Sequence, residues 1–396
     1  MNTTQMQKDT AEIISRIHEI GPILRENAPK ADRDRRVPEA SIEALSSINA
    51  FGMATLKKYG GWEGGARMLL EAATTIGYYC TNSAWITIIS NVSAMLPQRF
   101  PASIMDRIFA GGKPIRMSSI IVSPGGKAIR DGDGYRVSGE WPWASNVFHA
   151  EYSIGVVPIF ESEDAEPELG YALLHKDQYT IKDTWFSIGM RGTGSNTIVA
   201  EDQWVPADQV VRAGVMLGPG FESMADATFH QRLTPASMFP LVIVSGPLGG
   251  AKAALDLTIA AASKRSITYS KYHPQNTSGQ FAHAIGVAKG KIDSAELILK
   301  RACDIVDETA QGTTPLSLEQ RAAIRNDIAH AVHNIADAMN DIAWLHGTAT
   351  FAESSPIGRL WRDVNTGARH AMAASPLGYE IGGAGLLGVP LPSPMV

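Results

Sequence analysis

Residues 359–372, RLWRDVNTGARHAM, are predicted to form a helix. Asp363, Gly367 and His370 occupy positions i, i+4 and i+7, so they share one helical face, and the glycine leaves that face open between the carboxylate and the imidazole. Because the ordinary pKa of an imidazole is about 6.5, a histidine beside such a gap can transfer protons at neutral pH. The alternative is a histidine on an outer helix surface, and the stretch alone does not decide between them.

This helix is predicted to be the last of four in an antiparallel bundle. Residues 244–265, 281–309 and 317–347 also carry apolar side chains at three- and four-residue spacing, and short connections join the segments. We assign the bundle to residues 221–396. The sequence GGAG at 382–385 lacks a preceding strand and helix, so a turn is predicted there rather than a phosphate-binding loop.

The other two regions differ in hydrophobic period. Residues 1–113 read as a helical domain, and residues 83–96 are apolar on more than one helical face, which predicts a buried helix. Residues 114–220 have a period near two with dense turn signals, which predicts an antiparallel β domain with a hairpin at 131–134. The order helical, β, helical excludes a Rossmann fold or a TIM barrel as the first choice.

Composition narrows the class of function. The chain has 396 residues, of which 44% are hydrophobic. Its formal charge of -5 and the absence of any long Lys/Arg run argue against nucleic acid or an anionic membrane as the main partner, so a small molecule is predicted. No signal-peptide core is visible, and no window approaches the roughly 18 to 20 apolar residues of a membrane span, so a cytoplasmic protein is predicted. Cys80 and Cys303 lack the CxxC spacing of a zinc or redox site. The sequence also has no Glu-x-x-His pair of the kind that binds a di-iron centre, so no metal site is predicted.

Three loops are richer in special residues than a plain connection requires. They read WPWASNVFH at 141–149, GMRGTGSNT at 189–197 and WLHGTAT at 344–350. In the second, the glycines allow backbone N–H groups to point at an anion, with Arg191 and Thr193 as further donors. Each loop alone is weak evidence, because glycine-rich loops between strands are usually only turns.

Together and in this order, the loops resemble the acyl-CoA dehydrogenase superfamily over nearly the whole chain. The resemblance implies a mainly α fold with a central β domain: an N-terminal helical domain, a middle antiparallel β-barrel and a C-terminal four-helix bundle. It also implies a flavin between the β domain and the bundle, with Trp143 on the isoalloxazine and Ser145 near N5. The further cofactor contacts that it implies are Arg191, Thr193, Ser195, Arg265 at the phosphates, and Gly347 and Thr348 from a neighbouring subunit.

One departure from the dehydrogenases selects a branch of this superfamily. Dehydrogenases carry a catalytic Glu in a Glu-Gly-Thr segment after the Asp that matches Asp363, whereas residues 369–372 read RHAM. With RGTGS at 191–195, His370 resembles the group D flavin-dependent monooxygenases, which include 4-hydroxyphenylacetate hydroxylase and dibenzothiophene monooxygenase. The resemblance implies a homotetramer that takes reduced FAD or FMN from a separate NAD(P)H-dependent reductase and reacts it with O2 to a C4a-hydroperoxyflavin.

The resemblance also implies roles for single side chains. His370 is expected to be the acid/base and Ser145 the N5-side contact, while Asn91 replaces a histidine of some relatives and is expected to orient the substrate or to bond with Ser93. Trp85, Asn91 and Phe148 are expected to line a pocket for a small aromatic compound, indole-like or phenolic. A dehydrogenase of acyl thioesters and a non-enzymatic helical scaffold remain the alternatives.

Overall fold

The structure, a computed structural model, describes residues 3–121, 125–162, 166–216, 226–233 and 235–393. The chain begins with a helical region, as predicted. Its helices are α1 (Thr3–Asp34), α2 (Glu39–Ser47), α3 (Ala66–Tyr79), α4 (Thr81–Met95) and α5 (Ala102–Ile108). Every residue of α4 is buried, which confirms the prediction from its all-round apolar face and places it between the other layers.

The middle region is an eight-stranded sheet in the order β6-β7-β3-β2-β4-β5-β8, with β1 also paired to β4. Its strands are β1 (Met117–Ile120), β2 (Gly126–Asp131), β3 (Gly134–Ala144), β4 (Tyr152–Phe160), β5 (Glu168–His175), β6 (Thr180–Lys182), β7 (Asn196–Pro206) and β8 (Val210–Arg212). The predicted hairpin is confirmed, since Asp131 pairs with Gly134 across a turn in which Gly132 has φ +61°.

The sheet is mixed rather than purely antiparallel, which corrects the prediction. Strand β4 runs parallel to both β1 and β2 and antiparallel to β5. Residues 153–157 of β4 are buried without interruption, as is typical of a strand covered on both faces, so this run does not show the alternation of a half-exposed antiparallel strand. Among the described strands, the order of hydrogen-bonded neighbours begins at β6 and ends at β8.

Helices return after the sheet. They are α6 (Ala213–Met216), α7 (Phe229–Arg232), α8 (Pro235–Val242), α9 (Ser245–Ala261), α10 (Gly279–Gln311), α11 (Leu318–His346), α12 (Pro356–Gly367) and α13 (Ser375–Leu387). Helices α9 to α12 are the four predicted bundle helices. The predicted boundary between residues 220 and 221 lies outside the described residues.

Helix α13 contains the GGAG sequence, so the predicted turn is wrong. A Cβ at Gly382 would come within 2.4 Å of the Asn326 side chain, and one at Gly385 within 2.7 Å of Ala322 Cβ. Both contacts are with α11. The small residues therefore permit a close helix–helix approach, which outweighs their low helix propensity.

A third correction concerns the long apolar stretch Ser237–Ala261. It is long and apolar enough to cross a membrane, contrary to the prediction that no window approaches that length, but 94% of its most apolar window is buried inside the protein. Its glycines lie against the N-terminal helices, since a Cβ at Gly249 would come within 2.2 Å of the Thr74 carbonyl. The stretch therefore packs as core between the bundle and the N-terminal helices.

Candidate active site

Helix α12 ends at Gly367, so the prediction of one helix through residue 372 is wrong at its C-terminal end. His370 lies in the turn that follows, with its N–H bonded to the Gly367 carbonyl at 3.1 Å. The face at Gly367 is also not open, because a Cβ there would lie 2.8 Å from Met190 Cε and 2.9 Å from Pro247 Cγ. The glycine therefore allows the loop of residues 189–197 and α9 to pack directly on α12.

Asp363 joins three parts of the chain through one buried carboxylate. Its Oδ2 accepts hydrogen bonds from Thr81 Oγ1 and from Asn82 Nδ2, the latter at 3.0 Å, and its Oδ1 accepts one from Met190 N–H at 2.6 Å. The side chain is fully buried, and desolvation raises its pKa above the ordinary aspartate value. The carboxylate therefore fixes the start of α4 and the loop of residues 189–197 to α12.

The loop of residues 189–197 is held by its own donors and does not present them to an anion. Met190 has the left-handed φ of 51°, and its carbonyl accepts from Thr193 Oγ1 at 2.8 Å and from Trp185 Nε1 at 2.9 Å. The Arg191 guanidinium donates to the Asp32 carbonyl at 2.8 Å and to the Ser187 carbonyl at 3.1 Å. Arg191 and Thr193 therefore hold the backbone of the loop in place, and their donors bond to protein carbonyls in this structure.

A continuous line of buried hydroxyl groups runs from this loop to α4. Thr193 Oγ1 lies 2.7 Å from Ser195 Oγ, which lies 2.7 Å from Ser145 Oγ. Ser145 Oγ also accepts a hydrogen bond from the indole Nε1–H of Trp85 at 3.1 Å. The structure thus brings together four predicted site residues from α4, the end of β3 and the loop of residues 189–197.

His370 joins the same group through Trp85. The two rings meet edge to face, with centroids 5.5 Å apart. Desolvation lowers the pKa of His370 to about 4, so the imidazole is neutral at physiological pH. Met372 N–H donates to its Nδ1 at 3.3 Å, which favours the tautomer with a hydrogen on Nε2.

Trp143 marks the open side of this group. Its side chain is 63% exposed, whereas Trp141, two residues earlier on β3, is fully buried and donates to the Val156 carbonyl. Trp143 also has a left-handed φ of 63°, a costly conformation for a bulky residue, at an irregularity in the pairing of β3 with β7. An indole held outward beside the buried Ser145 hydroxyl fits a planar ring that stacks on one and hydrogen-bonds with the other.

Two of the predicted pocket residues lie elsewhere. The Asn91 side chain is fully buried, accepts from Ala54 N–H at 2.9 Å, and donates to the carbonyls of Ala50 and Thr87. It does not bond with Ser93, which pairs with Ser119 instead. The Asn91 amide thus bonds to the main chain of Ala50, Ala54 and Thr87, and it does not face a ligand.

Phe148 packs on the outer side of the loop of residues 189–197. A Cβ at Gly194 would lie 2.7 Å from its ring, and the Arg36 guanidinium stands 4.9 Å from the ring centroid. Phe148 therefore supports the loop that carries Thr193 and Ser195.

Arg265, Gly347 and Thr348 form a separate group at one end of the bundle. Arg265 Nη1 lies 2.5 Å from His346 Nδ1, while His346 Nε2 lies 2.9 Å from Thr258 Oγ1. Gly347 and Thr348 follow His346 and are exposed. Among the described residues, no hydrogen bond connects this group with Ser145, so the structure does not bring these three predicted cofactor contacts to the group around Ser145.

Sequence reasoning missed the partners of Asp363. Thr81 and Asn82 begin a buried apolar helix, and two adjacent polar residues at such a position are a signal, because buried polar groups need partners. Met190 carried no signal, since a main-chain donor leaves no mark in the sequence. In the part of the chain that the structure describes, no group of three or more His, Cys, Asp or Glu residues could hold a metal ion.

Comparisons with known proteins cover the whole chain. A family model described as "Acyl-CoA dehydrogenase, C-terminal domain" matches residues 241–375. The solved structure of XiaF from Streptomyces sp. in complex with FADH2 and glycerol has a TM-score of 0.96 and 31% identity, covering 99% of each chain. The flavin-dependent monooxygenase oxygenase subunit HsaA of Rhodococcus jostii (strain RHA1) is 27% identical over 97% of this chain and 100% of its own length.

A third relative is the FADH2-dependent resorcinol hydroxylase oxygenase component of Rhizobium sp. (strain MTP-10005). It is 26% identical over 92% of this chain and 91% of its own length. These similarities run through all three regions of the fold, so they include each segment that contributes to the group around Ser145.

Proposed function

We propose an activity from the premise that this chain belongs to the acyl-CoA dehydrogenase superfamily, in its branch of flavin-dependent monooxygenases. The protein is the oxygenase component of a two-component system, which uses reduced flavin and O2 to hydroxylate a small aromatic compound. The observation that carries this reading is that buried Ser145 and neutral His370 both contact Trp85, with the exposed Trp143 two residues before Ser145.

The side chains of this group fit a reduced flavin. Trp143 offers an exposed aromatic face, and Ser145, just past the end of β3, offers a buried hydroxyl two residues further along the chain. Bound reduced flavin supplies the activation of O2, which amino-acid side chains do not carry out by themselves. The protein binds and orients the ring through these two residues, and Trp85 fixes the Ser145 hydroxyl from the α4 side.

His370 handles the proton in our proposal. Its imidazole is neutral at pH 7, since burial holds its pKa near 4, and its Nε2 carries the hydrogen in the tautomer favoured by Met372 N–H. Nε2–H can donate a hydrogen bond to an oxygen atom of the substrate, and in the other tautomer the Nε2 lone pair can accept the hydrogen bond of a phenol hydroxyl or an indole N–H. The buried Trp85 ring packs against the imidazole and limits the access of water on that side.

The proposal extends to the substrate class, the assembly and the cofactor. We infer an indole-like or phenolic substrate, because the wall of the group is the indole of Trp85 and the acid/base is a neutral imidazole. A homotetramer is supported by exposed apolar side chains, Trp344 at 85% and Phe351 at 67%, that flank Gly347 and Thr348. The proposed cofactor is reduced FAD or FMN, with an NAD(P)H-dependent reductase as its source and the cytoplasm as the location of the protein; the FADH2 bound to XiaF supports FAD.

The dehydrogenase alternative requires a carboxylate that can remove a proton from a thioester. Asp363 is the carboxylate of this group, but it is fully buried and both of its oxygens accept protein hydrogen bonds. The acid/base presented beside Trp85 is instead an imidazole, which favours hydroxylation.

Anaerobic titration with reduced and oxidised FAD and FMN, followed by mixing with O2 and a panel of indoles and phenols, tests the proposal. We expect tight binding of at least one reduced flavin and a product that contains one atom of labelled oxygen from O2. Failure to bind any reduced flavin refutes the proposal, as does anaerobic reduction of bound FAD by acyl-CoA thioesters.

A further inference from the structure

The hydrogen bonds along the line of hydroxyls have a direction that can be worked out by counting protons. The Met190 carbonyl can only accept, so the single hydroxyl proton of Thr193 points to it across 2.8 Å. Thr193 Oγ1 therefore accepts in its 2.7 Å contact with Ser195, and the proton of that bond belongs to Ser195. The hydroxyl proton of Ser195 is thereby committed away from Ser145.

The same count fixes Ser145. Because the proton of Ser195 is committed to Thr193, the 2.7 Å contact between Ser145 and Ser195 uses the proton of Ser145. The indole Nε1–H of Trp85 can only donate, so it occupies one acceptor site of Ser145 Oγ at 3.1 Å. Ser145 is left with no proton to give and with one acceptor site for a ligand.

We propose that Thr193 and Ser195 are positioning residues that make Ser145 an obligate hydrogen-bond acceptor, so that the site binds reduced flavin in preference to oxidised flavin. This inference rests on the proposed function. Reduced flavin carries a hydrogen on N5 and can donate to Ser145, whereas oxidised flavin has a lone pair on N5, which would face the lone pair of Ser145 without a proton between them. A two-component oxygenase needs such a preference because it must take up the reduced form and release the oxidised one.

The Met190 carbonyl, which accepts the last hydrogen bond of this line of hydroxyls, is held in one orientation. The two peptide units that meet at Met190 are both held, one by Asp363 through the Met190 N–H and the other by Trp185 Nε1 through the Met190 carbonyl, and the turn has left-handed φ values at Met190 and Gly194. The carbonyl therefore cannot rotate to release the proton of Thr193. The Met190 carbonyl thus sets the direction of each hydrogen bond in the line, through the hydroxyls of Thr193 and Ser195 to that of Ser145. Thr193 has no direct hydrogen bond with the Ser145 hydroxyl and acts on it through Ser195.

Thr193→Val is the decisive variant, because it removes the hydroxyl that accepts from Ser195 without altering any contact of Ser145. Ser195 can then turn its proton toward Ser145, which frees the proton of Ser145 to donate to N5 of oxidised flavin. We expect the ratio of the dissociation constants of oxidised and reduced FAD, measured by anaerobic fluorescence titration, to fall by about two- to tenfold. Ser195→Ala should have the same effect.

Matched controls separate this effect from a general loss of structure. Thr193→Ser keeps the hydroxyl and should restore the parental ratio, and Ser153→Ala, which removes a buried serine hydroxyl bonded to Tyr179, should leave it unchanged. Oxidised 5-deaza-FAD, which has a C–H in place of N5, should gain no affinity from Thr193→Val. A ratio unchanged in both Thr193→Val and Ser195→Ala refutes the inference while the proposed function stands. Absence of reduced-flavin binding by the parental protein refutes both.

Discussion

Replacing Asp363 by alanine tests the carboxylate that ties α4, α12 and the loop of residues 189–197 together. The substitution leaves three buried donors without their acceptor, namely Thr81 Oγ1, Asn82 Nδ2 and Met190 N–H. Each unsatisfied buried donor costs about 1 to 3 kcal/mol, and the removal of a desolvated carboxyl group offsets part of the sum. We expect the free energy of unfolding to fall by about 4 kcal/mol, a large share of the roughly 5 to 15 kcal/mol of a typical protein.

Asp363→Asn is the matched control, and its expected cost is small for a structural reason. The Oδ1 atom of Asn82 is buried without a hydrogen-bond partner. If the new amide keeps its oxygen toward Met190 N–H, Asn82 can rotate its own amide to accept from the new NH2 group, and the Thr81 hydroxyl can also accept. We expect a loss of about 1 kcal/mol.

Urea unfolding followed by tryptophan fluorescence and circular dichroism measures both variants against the parent. Similar slopes with a lower midpoint indicate a change in stability alone. Two results would refute the reasoning: an alanine variant within about 1 kcal/mol of the parent, or an asparagine variant as unstable as the alanine variant.

Four further expectations concern single side chains. His370→Ala should keep the fold and the affinity for reduced flavin but lose most coupled hydroxylation, seen as hydrogen peroxide released per product formed; a parental ratio would contradict our assignment. Burial lowers the pKa of His370 from 6.5 to about 4, so the stabilising contribution of the neutral imidazole is present above pH 6.5 and is lost as the pH falls through 4. The unfolding free energy of His370→Gln should therefore fall less between pH 6.5 and pH 4 than that of the parent, as measured by urea unfolding at each pH. Trp143→Ala should weaken reduced-flavin binding about three- to tenfold in titrations without lowering the melting temperature, since the side chain is 63% exposed. Asn91→Ala should lower the unfolding free energy by about 2 kcal/mol in urea, because Ala54 N–H loses its acceptor and the carbonyls of Ala50 and Thr87 each lose a donor, while the folded fraction keeps its hydroxylation rate.

The layers of the fold and several members of the site could be predicted because they leave local patterns. Helical spacing found α4 and the bundle, and motif order pointed to Ser145 and His370. The end of α12 at Gly367 could not be found, because it depends on Met190 and Pro247 packing against that glycine from distant segments.

The position of Asn91 could not be predicted for a related reason. An asparagine on a buried helix looks the same in the sequence whether it faces a ligand or the backbone of residues 50–54, and only the tertiary contacts distinguish the two. The GGAG helix was missed because low helix propensity is a local property, whereas the close approach to α11 that requires small residues is not.

The contacts of Asp32, near the end of α1, link the first helix to segments that are synthesised much later. Its carbonyl accepts from Arg191 and its carboxylate accepts from Arg362 at 2.8 Å, a contact between positions 330 residues apart. A nascent chain can fold α1 to α5 early, but the loop that carries Thr193 has its α12 support only after residue 363 has left the ribosome. Stalled or truncated chains should therefore not take up flavin, which leaves the cofactor pool to finished subunits.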